Sequence, residues 1–152
     1  YSKDPIPDDI RIVTSHDGLD VLCDGPEDGI LLVAHGQLCA EALAAVDQLD
    51  SPVRVVSPRW SLPVCGGLIE EAARARAVVS VEDGLVVSGL GSHLADALSQ
   101  RGMWRPIRSL GIPQRYLDHD SRSAIMAELG LDSRGIADAV SQLVAQLDGE
   151  YS

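Results

Sequence analysis

The run Ile30-Leu31-Leu32-Val33-Ala34 is apolar without a break, and a polar residue appears only at His35. A run of this kind predicts a strand covered on both faces. Val53-Arg54-Val55-Val56-Ser57, Ala77-Val78-Val79-Ser80-Val81 and Pro106-Ile107-Arg108-Ser109-Leu110 predict three further strands, and a short one is expected around Leu19-Asp20-Val21-Leu22 within 13–23. Between these runs the period lengthens. Leu38, Ala42, Ala45, Val46 and Leu49 fall on one stripe of a helix predicted over 38–49. Further helices are predicted over 65–76 and from about His93 to Gln100. In the tail, Ser121 is placed to cap a helix that runs to about Leu129 and stops at Gly130. Asp132 is placed to cap a last helix to about Leu147, with Ile136, Ala139, Val140, Leu143 and Leu147 on one face.

Turn chemistry separates these elements. Asp24 to Gly29 carries Gly, Pro and acids; Pro58 to Pro63 is a rigid loop holding Trp60; Glu82-Asp83-Gly84 is expected to end the strand before it. Ser88-Gly89-Leu90-Gly91-Ser92 is a glycine-rich turn into a helix. Strands alternating with helices predict an α/β fold, a three-layer sandwich around a mostly parallel sheet of about five strands. Pro5 and Pro7 block helix and Asp4, Asp8 and Asp9 keep the start solvated, so residues 1–12 read as a linker and 13–152 as one domain.

At 152 residues and 45% apolar, the chain is long enough to bury a core. Its net charge of −11 repels phosphate backbones and anionic headgroups, which argues against nucleic acid and membrane surfaces as partners. Cys23, Cys39 and Cys65 are odd in number and form no Cys-x-x-Cys pair, so they read as free, buried thiols of a cytoplasmic protein. No apolar run approaches ~20 residues, and no membrane helix is expected. The chain opens at Tyr1 with no methionine and no apolar signal core, and a longer parent is expected.

The candidates for chemistry are few. Gly89, Gly91 and Ser92 sit where a strand-to-helix turn presents N–H groups to an anion. The segment lacks both a full Gly-x-Gly-x-x-Gly and the Gly-Lys-Ser/Thr of a phosphate loop, and the alternative is that its glycines serve a tight turn and close helix packing. His16, His35, His93 and His119 show no metal-ligand spacing. His35 ends a buried strand, where active-site groups of parallel sheets gather, although a hydrogen-bonded histidine at the sheet edge is the commoner outcome. Asp118-His119-Asp120-Ser121 holds the residue types of a triad, but neighbours in sequence do not converge as a triad requires. Glu82-Asp83 reads as a solvated turn rather than an acid–base pair, and Arg54 and Arg59 as surface partners of the many carboxylates rather than phosphate ligands. No catalytic residue and no metal site emerges. The residues point to a binding, packing or oligomerisation domain.

The order of motifs resembles a known family. Gly29-Ile30-Leu31-Leu32-Val33-Ala34-His35-Gly36, a helix, and then Val55-Val56-Ser57-Pro58-Arg59-Trp60 with Pro63 soon after are similar to the transketolase C-terminal domain, with Ser57 where Asp is frequent. Val79-Ser80-Val81-Glu82-Asp83-Gly84 and Gly89-Leu90-Gly91-Ser92 resemble its next segments. These parts also suit transketolase itself and the beta subunits of 2-oxoacid dehydrogenases. The tail, Leu110-Gly111-Ile112-Pro113-Gln114-Arg115-Tyr116-Leu117-Asp118-His119 and Glu128-Leu129-Gly130-Leu131-Asp132, is similar to the deoxyxylulose-phosphate synthases, with Asp120 in place of the usual Gly.

The resemblance implies a non-catalytic C-terminal domain of a thiamine-dependent transferase that condenses pyruvate with glyceraldehyde 3-phosphate for isoprenoid precursors. It implies that thiamine diphosphate and Mg²⁺ sit on preceding domains of the same chain, that this domain binds neither, and that the parent is a homodimer. Tyr1-Ser2-Lys3-Asp4 aligns with a segment whose basic residue binds substrate phosphate, which places Lys3 in that role; Ser2 and Asp4 depart from the pattern. The competing readings are another transketolase-family enzyme, a stand-alone module binding a small anion at Gly91-Ser92, and a small α/β hydrolase, which the missing Gly-x-Ser-x-Gly elbow disfavours. A domain packed on neighbours is expected to show an apolar patch near Trp60–Val64 or Leu85–Leu90.

Overall fold

The apolar runs form the middle of a six-stranded sheet in the computed structural model, which describes residues 9–60, 62–85, 89–112 and 127–149. The strands are β1 (Thr14–His16), β2 (Leu19–Cys23), β3 (Ile30–Ala34), β4 (Val53–Pro58), β5 (Ala77–Leu85) and β6 (Ile107–Ile112). The helices are α1 (Leu38–Val46), α2 (Gly66–Arg74), α3 (Leu90–Gln100) and α4 (Ser133–Gly149). The sheet order is β1-β2-β4-β3-β5-β6. β4, β3, β5 and β6 run parallel, while β2 and β1 add antiparallel beyond β4.

Side-chain alternation along each strand sorts the core into two halves. Ile30, Leu32, Ala34, Val53, Val55, Ala77, Val79 and Val81 face one side and pack with α1 and α4. Leu31, Val33, Val56 and Val78 face the other and pack with Leu68 of α2 and Leu94 and Leu98 of α3. Both faces of β3 are covered, which is why its sequence shows no polar alternation. The result is the expected three-layer α/β sandwich with a mostly parallel sheet.

Several element limits differ from the sequence expectation. The sheet has six strands rather than about five, because 13–23 makes a hairpin. Asp17 and Gly18 take φ of 45° and 81°, and Thr14, Ser15 and His16 pair with Val21, Asp20 and Leu19. Two positive-φ residues joining two short strands are the connection that suits strand twist. β5 does not stop at Glu82-Asp83-Gly84 but continues to Leu85, with a register shift against β6 between Val81 and Leu85. α3 begins at Leu90, three residues before the expected His93. Asp132 caps α4 as expected, its Oδ1 accepting from the Gly135 N–H at 2.9 Å. The helix expected from Ser121 falls mostly outside the described residues. Among those described, no helix is long and apolar enough to cross a membrane.

Candidate functional site

Parallel sheets offer their ligand crevice at the C-terminal ends of the strands, where successive connections leave to opposite sides. Here β3 is flanked by β4 and β5, so the chain leaves β3 toward one neighbour and later returns to its other side. α1 follows β3 on one face of the sheet, and α3 follows β5 on the other. The edge so formed carries half-buried His35 after β3, Arg59 and Trp60 after β4, and Glu82 on β5.

Strand parity aims Glu82 at α3. Val78 faces the α2–α3 side, and Ser80 and Glu82 follow at intervals of two. The Glu82 carboxylate accepts the backbone N–H groups of Leu90 and Gly91, the latter at 3.4 Å. The N-terminus of α3 therefore holds an internal carboxylate, favourable against the positive end of the helix dipole, at the turn that the sequence offered as a candidate for an external anion. The two glycines of that turn have steric reasons as well. A Cβ on Gly89 would strike the Glu82 carboxylate, and one on Gly91 would strike Ser109 Oγ and lie 2.7 Å from Ser80 Oγ. Ser92 lies in the first turn of α3. Lys3 and His119 lie outside the described residues.

Both arginines singled out in the sequence are engaged by carboxylates, and one pairing is buried. Arg54 sits on β4 at a position that faces α2. Its Nε and Nη2 donate to Glu71 Oε2 and Oε1 at 2.8 and 2.9 Å, and its Nη1 donates to Asp24 Oδ1 at 2.5 Å. Arg54 is 8% and Glu71 1% exposed, so this pair belongs to the core and not to the surface. Burial pushes the Glu71 carboxyl up, but the hydrogen bonds and charge of Arg54, with His16 and Arg74, prevail and hold it below the ordinary glutamate value. The same hydrogen bonds raise Arg54. His16 Nε2 lies 3.1 Å from Glu71 Oε1, which ties the hairpin to α2. Arg59 donates to buried Asp20 at 3.2 Å, and Ser15 donates to the same oxygen at 2.6 Å.

Glu71 is the residue the sequence reading missed. Its signal is its place on the buried stripe of α2 with Leu68 and Ala72. Cys39 and Cys65 are buried, Cys23 is half-buried, and burial raises all three above the ordinary thiol value. No group of three or more His, Cys, Asp or Glu among the described residues suits a metal ion, and the chain has no Gly-Asp-Gly metal loop. These residues do not fit a thiamine diphosphate–Mg²⁺ pair, and no step of its chemistry is assigned to them.

What the edge does present is contact surface. Trp60 is 39% exposed; its ring lies on Gly18 of the hairpin turn, and its indole N–H donates to the Pro63 carbonyl at 2.9 Å. Beyond it an open groove of about 660 Å³ runs between Leu62-Pro63-Val64 and the α3 residues His93, Ala97 and Gln100. Part of the apolar patch expected near Trp60–Val64 is therefore present.

The family model for the transketolase C-terminal domain matches residues 20–136. The chain is 40% identical to 1-deoxy-D-xylulose-5-phosphate synthase 2 of Streptomyces avermitilis, over 99% of this chain and 24% of that protein. It is 39% identical to the 1-deoxy-D-xylulose-5-phosphate synthase of a Mycobacterium species, over 97% of this chain and 24% of that one. The chain thus spans about a quarter of the length of these relatives. Among solved structures, a split-gene transketolase described as an inactive beta4 tetramer superposes with a TM-score of 0.70 at 28% identity, over 86% of this chain and 43% of that one. A transketolase from Pichia stipitis shares the fold with a TM-score of 0.61 at 16% identity, over 88% of this chain and 19% of that one.

Proposed function

The chain belongs to the transketolase C-terminal domain family, and from that premise we propose that it is the non-catalytic C-terminal domain of a 1-deoxy-D-xylulose-5-phosphate synthase. The observation that carries this reading is the 40% identity along 99% of the chain to a synthase four times its length. In this reading upstream domains hold thiamine diphosphate and Mg²⁺ and condense pyruvate with glyceraldehyde 3-phosphate. The thiamine ylid supplies the carbanion chemistry there, and this domain supplies packing surface and supports a homodimer. The resemblance gives Lys3 the role of meeting the substrate phosphate. The charge set of the C-terminal edge supports a packing role: Arg59 and Glu82 are spent on internal partners, and Trp60 is left to face outward. Free thiols, two of them buried, suit a reducing cytoplasm.

The test is to isolate the polypeptide at its native length and assay it, beside the 152-residue chain, for carbon dioxide release from pyruvate with glyceraldehyde 3-phosphate. The longer protein is expected to turn over and the chain alone to be silent. Turnover by the chain alone would overturn the non-catalytic assignment. A native polypeptide no longer than this chain would remove the parent enzyme.

A further inference from the structure

β6 closes one side of the sheet, and among the described residues no strand pairs its outer edge. The start of that edge, at Ile107 and Arg108, opens into a groove of about 860 Å³ that lies between Ala95 of α3 and Leu143 of α4 and extends to Ala75 and Arg76, which precede β5. At its end stands Trp104, 77% exposed and the most exposed large apolar side chain among those described. Two arginines besides Arg76 line the groove. Arg105 is fixed by three carbonyls, donating to Ala75, Trp104 and Ala73 at 3.0, 2.7 and 2.6 Å. Arg108 donates to Gln146 Oε1 at 2.8 Å. Neither meets a carboxylate at ion-pair distance among the described residues, although the chain carries 23 acidic residues against 12 basic ones. The acidic groups nearby are Asp28 in the groove and Asp148, which Arg76 holds at 2.6 Å.

We propose that this edge binds an extended acidic peptide segment as a seventh strand, with its backbone on β6, its carboxylates on Arg105 and Arg108, and an apolar side chain on Trp104. An unpaired edge supplies a row of N–H and C=O groups that any extended chain can satisfy, and flanking pockets select its side chains. The six residues of β6 span about 20 Å at ~3.3 Å per residue, room for a segment of similar length. Alternation fixes the chemistry on each side. Ile107 and Ser109 turn toward α3, while Arg108 and Leu110 turn toward α4, so Arg108 selects charge on the α4 side. Arginines that meet no carboxylate at ion-pair distance among the described residues favour an acidic partner and disfavour a second β6, which would bring its own Arg108 to the same edge.

The probe is a fluorescein-labelled peptide of alternating glutamate and valine, about eight residues long, titrated against the native-length protein and followed by anisotropy. Saturable binding is expected, weakened roughly ten-fold or more by Arg108→Glu and by Trp104→Ser. Binding should be abolished when the peptide carries a central proline, which removes a ladder donor. Slower amide exchange across β6 in the unmutated protein gives the same answer without a variant. Absence of binding, or binding indifferent to Trp104→Ser and to the proline, overturns the proposal. So does concentration-dependent dimerisation that Trp104→Ser abolishes while the peptide has no effect, since that assigns the edge to a second copy.

Discussion

Arg54 is the second residue of a strand that is buried throughout, and Glu71 answers it from α2. Two opposite charges removed from water together are tolerable when their hydrogen bonds are complete, and costly when one is removed. Here three guanidinium nitrogens have carboxylate partners, so the pair meets that condition. Glu71→Gln leaves the Arg54 charge buried with only Asp24 opposite, and is expected to cost about 3 kcal/mol in urea unfolding at neutral pH. The dependence on pH has a definite sign. The folded-state pKa of Glu71 lies below its unfolded value, so its contribution is complete above the ordinary glutamate range of about 4.3 and is lost as pH falls through the folded value. The gap between wild type and Glu71→Gln should therefore be widest near neutrality and close in acid. A gap that stays constant down to about pH 3 would mean that shape, and not charge, holds this position. Arg54 itself was visible in the sequence as a charge in an apolar run. Its partner was not, because a glutamate beside Glu70 on a helix looks like solvent-facing charge until Leu68 and Ala72 reveal which side is buried.

At the scale of elements, the β1–β2 hairpin is seated on α2 as well as paired within the sheet. The Gly67 N–H donates to the Asp17 carbonyl at 3.1 Å, and a Cβ on Gly67 would lie 2.5 Å from the His16 carbonyl oxygen and 2.9 Å from Leu19 Cβ. Neither group can rotate away. Gly67→Ala is expected to lower stability by about 1–3 kcal/mol, despite the roughly 1 kcal/mol that alanine adds in a helix. At the adjacent Gly66, a Cβ meets only the mobile end of the Asp17 side chain, so Gly66→Ala should cost clearly less. Equal melting temperatures for the two variants would show that the hairpin is not seated on the helix. This element was the least legible part of the sheet. Thr14, Ser15 and His16 carry no apolar pattern, since they form a mostly exposed outer strand. Only Asp17-Gly18, a dipeptide suited to tight hairpin turns, announces it. The overrun of β5 has a related cause: Glu82 looks like a turn residue, yet its parity with Val78 and Ser80 keeps it on the strand and delivers it to α3.

The whole molecule was easier to read than its parts. β3, β4 and β5 are buried on both faces, so their runs need no partner to be recognised, and helical stripes between them leave the α/β sandwich as the natural arrangement. The site was less legible because its groups come together only through topology: Glu82 and the N-terminus of α3 are separated by residues whose sequence shows a turn but not what fills it. At this scale the two exposed tryptophans mark different surfaces. Trp60 lies after the C-terminal end of β4, and Trp104 lies before the start of β6, so they stand toward opposite ends of the parallel strands. If the C-terminal edge is the face that packs on upstream domains, only one of them is covered in the longer protein. Hydroxyl-radical footprinting read peptide by peptide separates the two. Oxidation of the Trp60 peptide is expected to fall roughly five-fold or more between the 152-residue chain and the native-length protein, as burial in a domain interface removes it from solvent. Oxidation of the Trp104 peptide should stay nearly unchanged and fall only when the acidic peptide is added. Equal oxidation of Trp60 in both proteins would move the docking face elsewhere on the domain. Loss of Trp104 oxidation on lengthening alone would show that the parent already covers β6, and would take from the free edge its role in recruiting a separate strand.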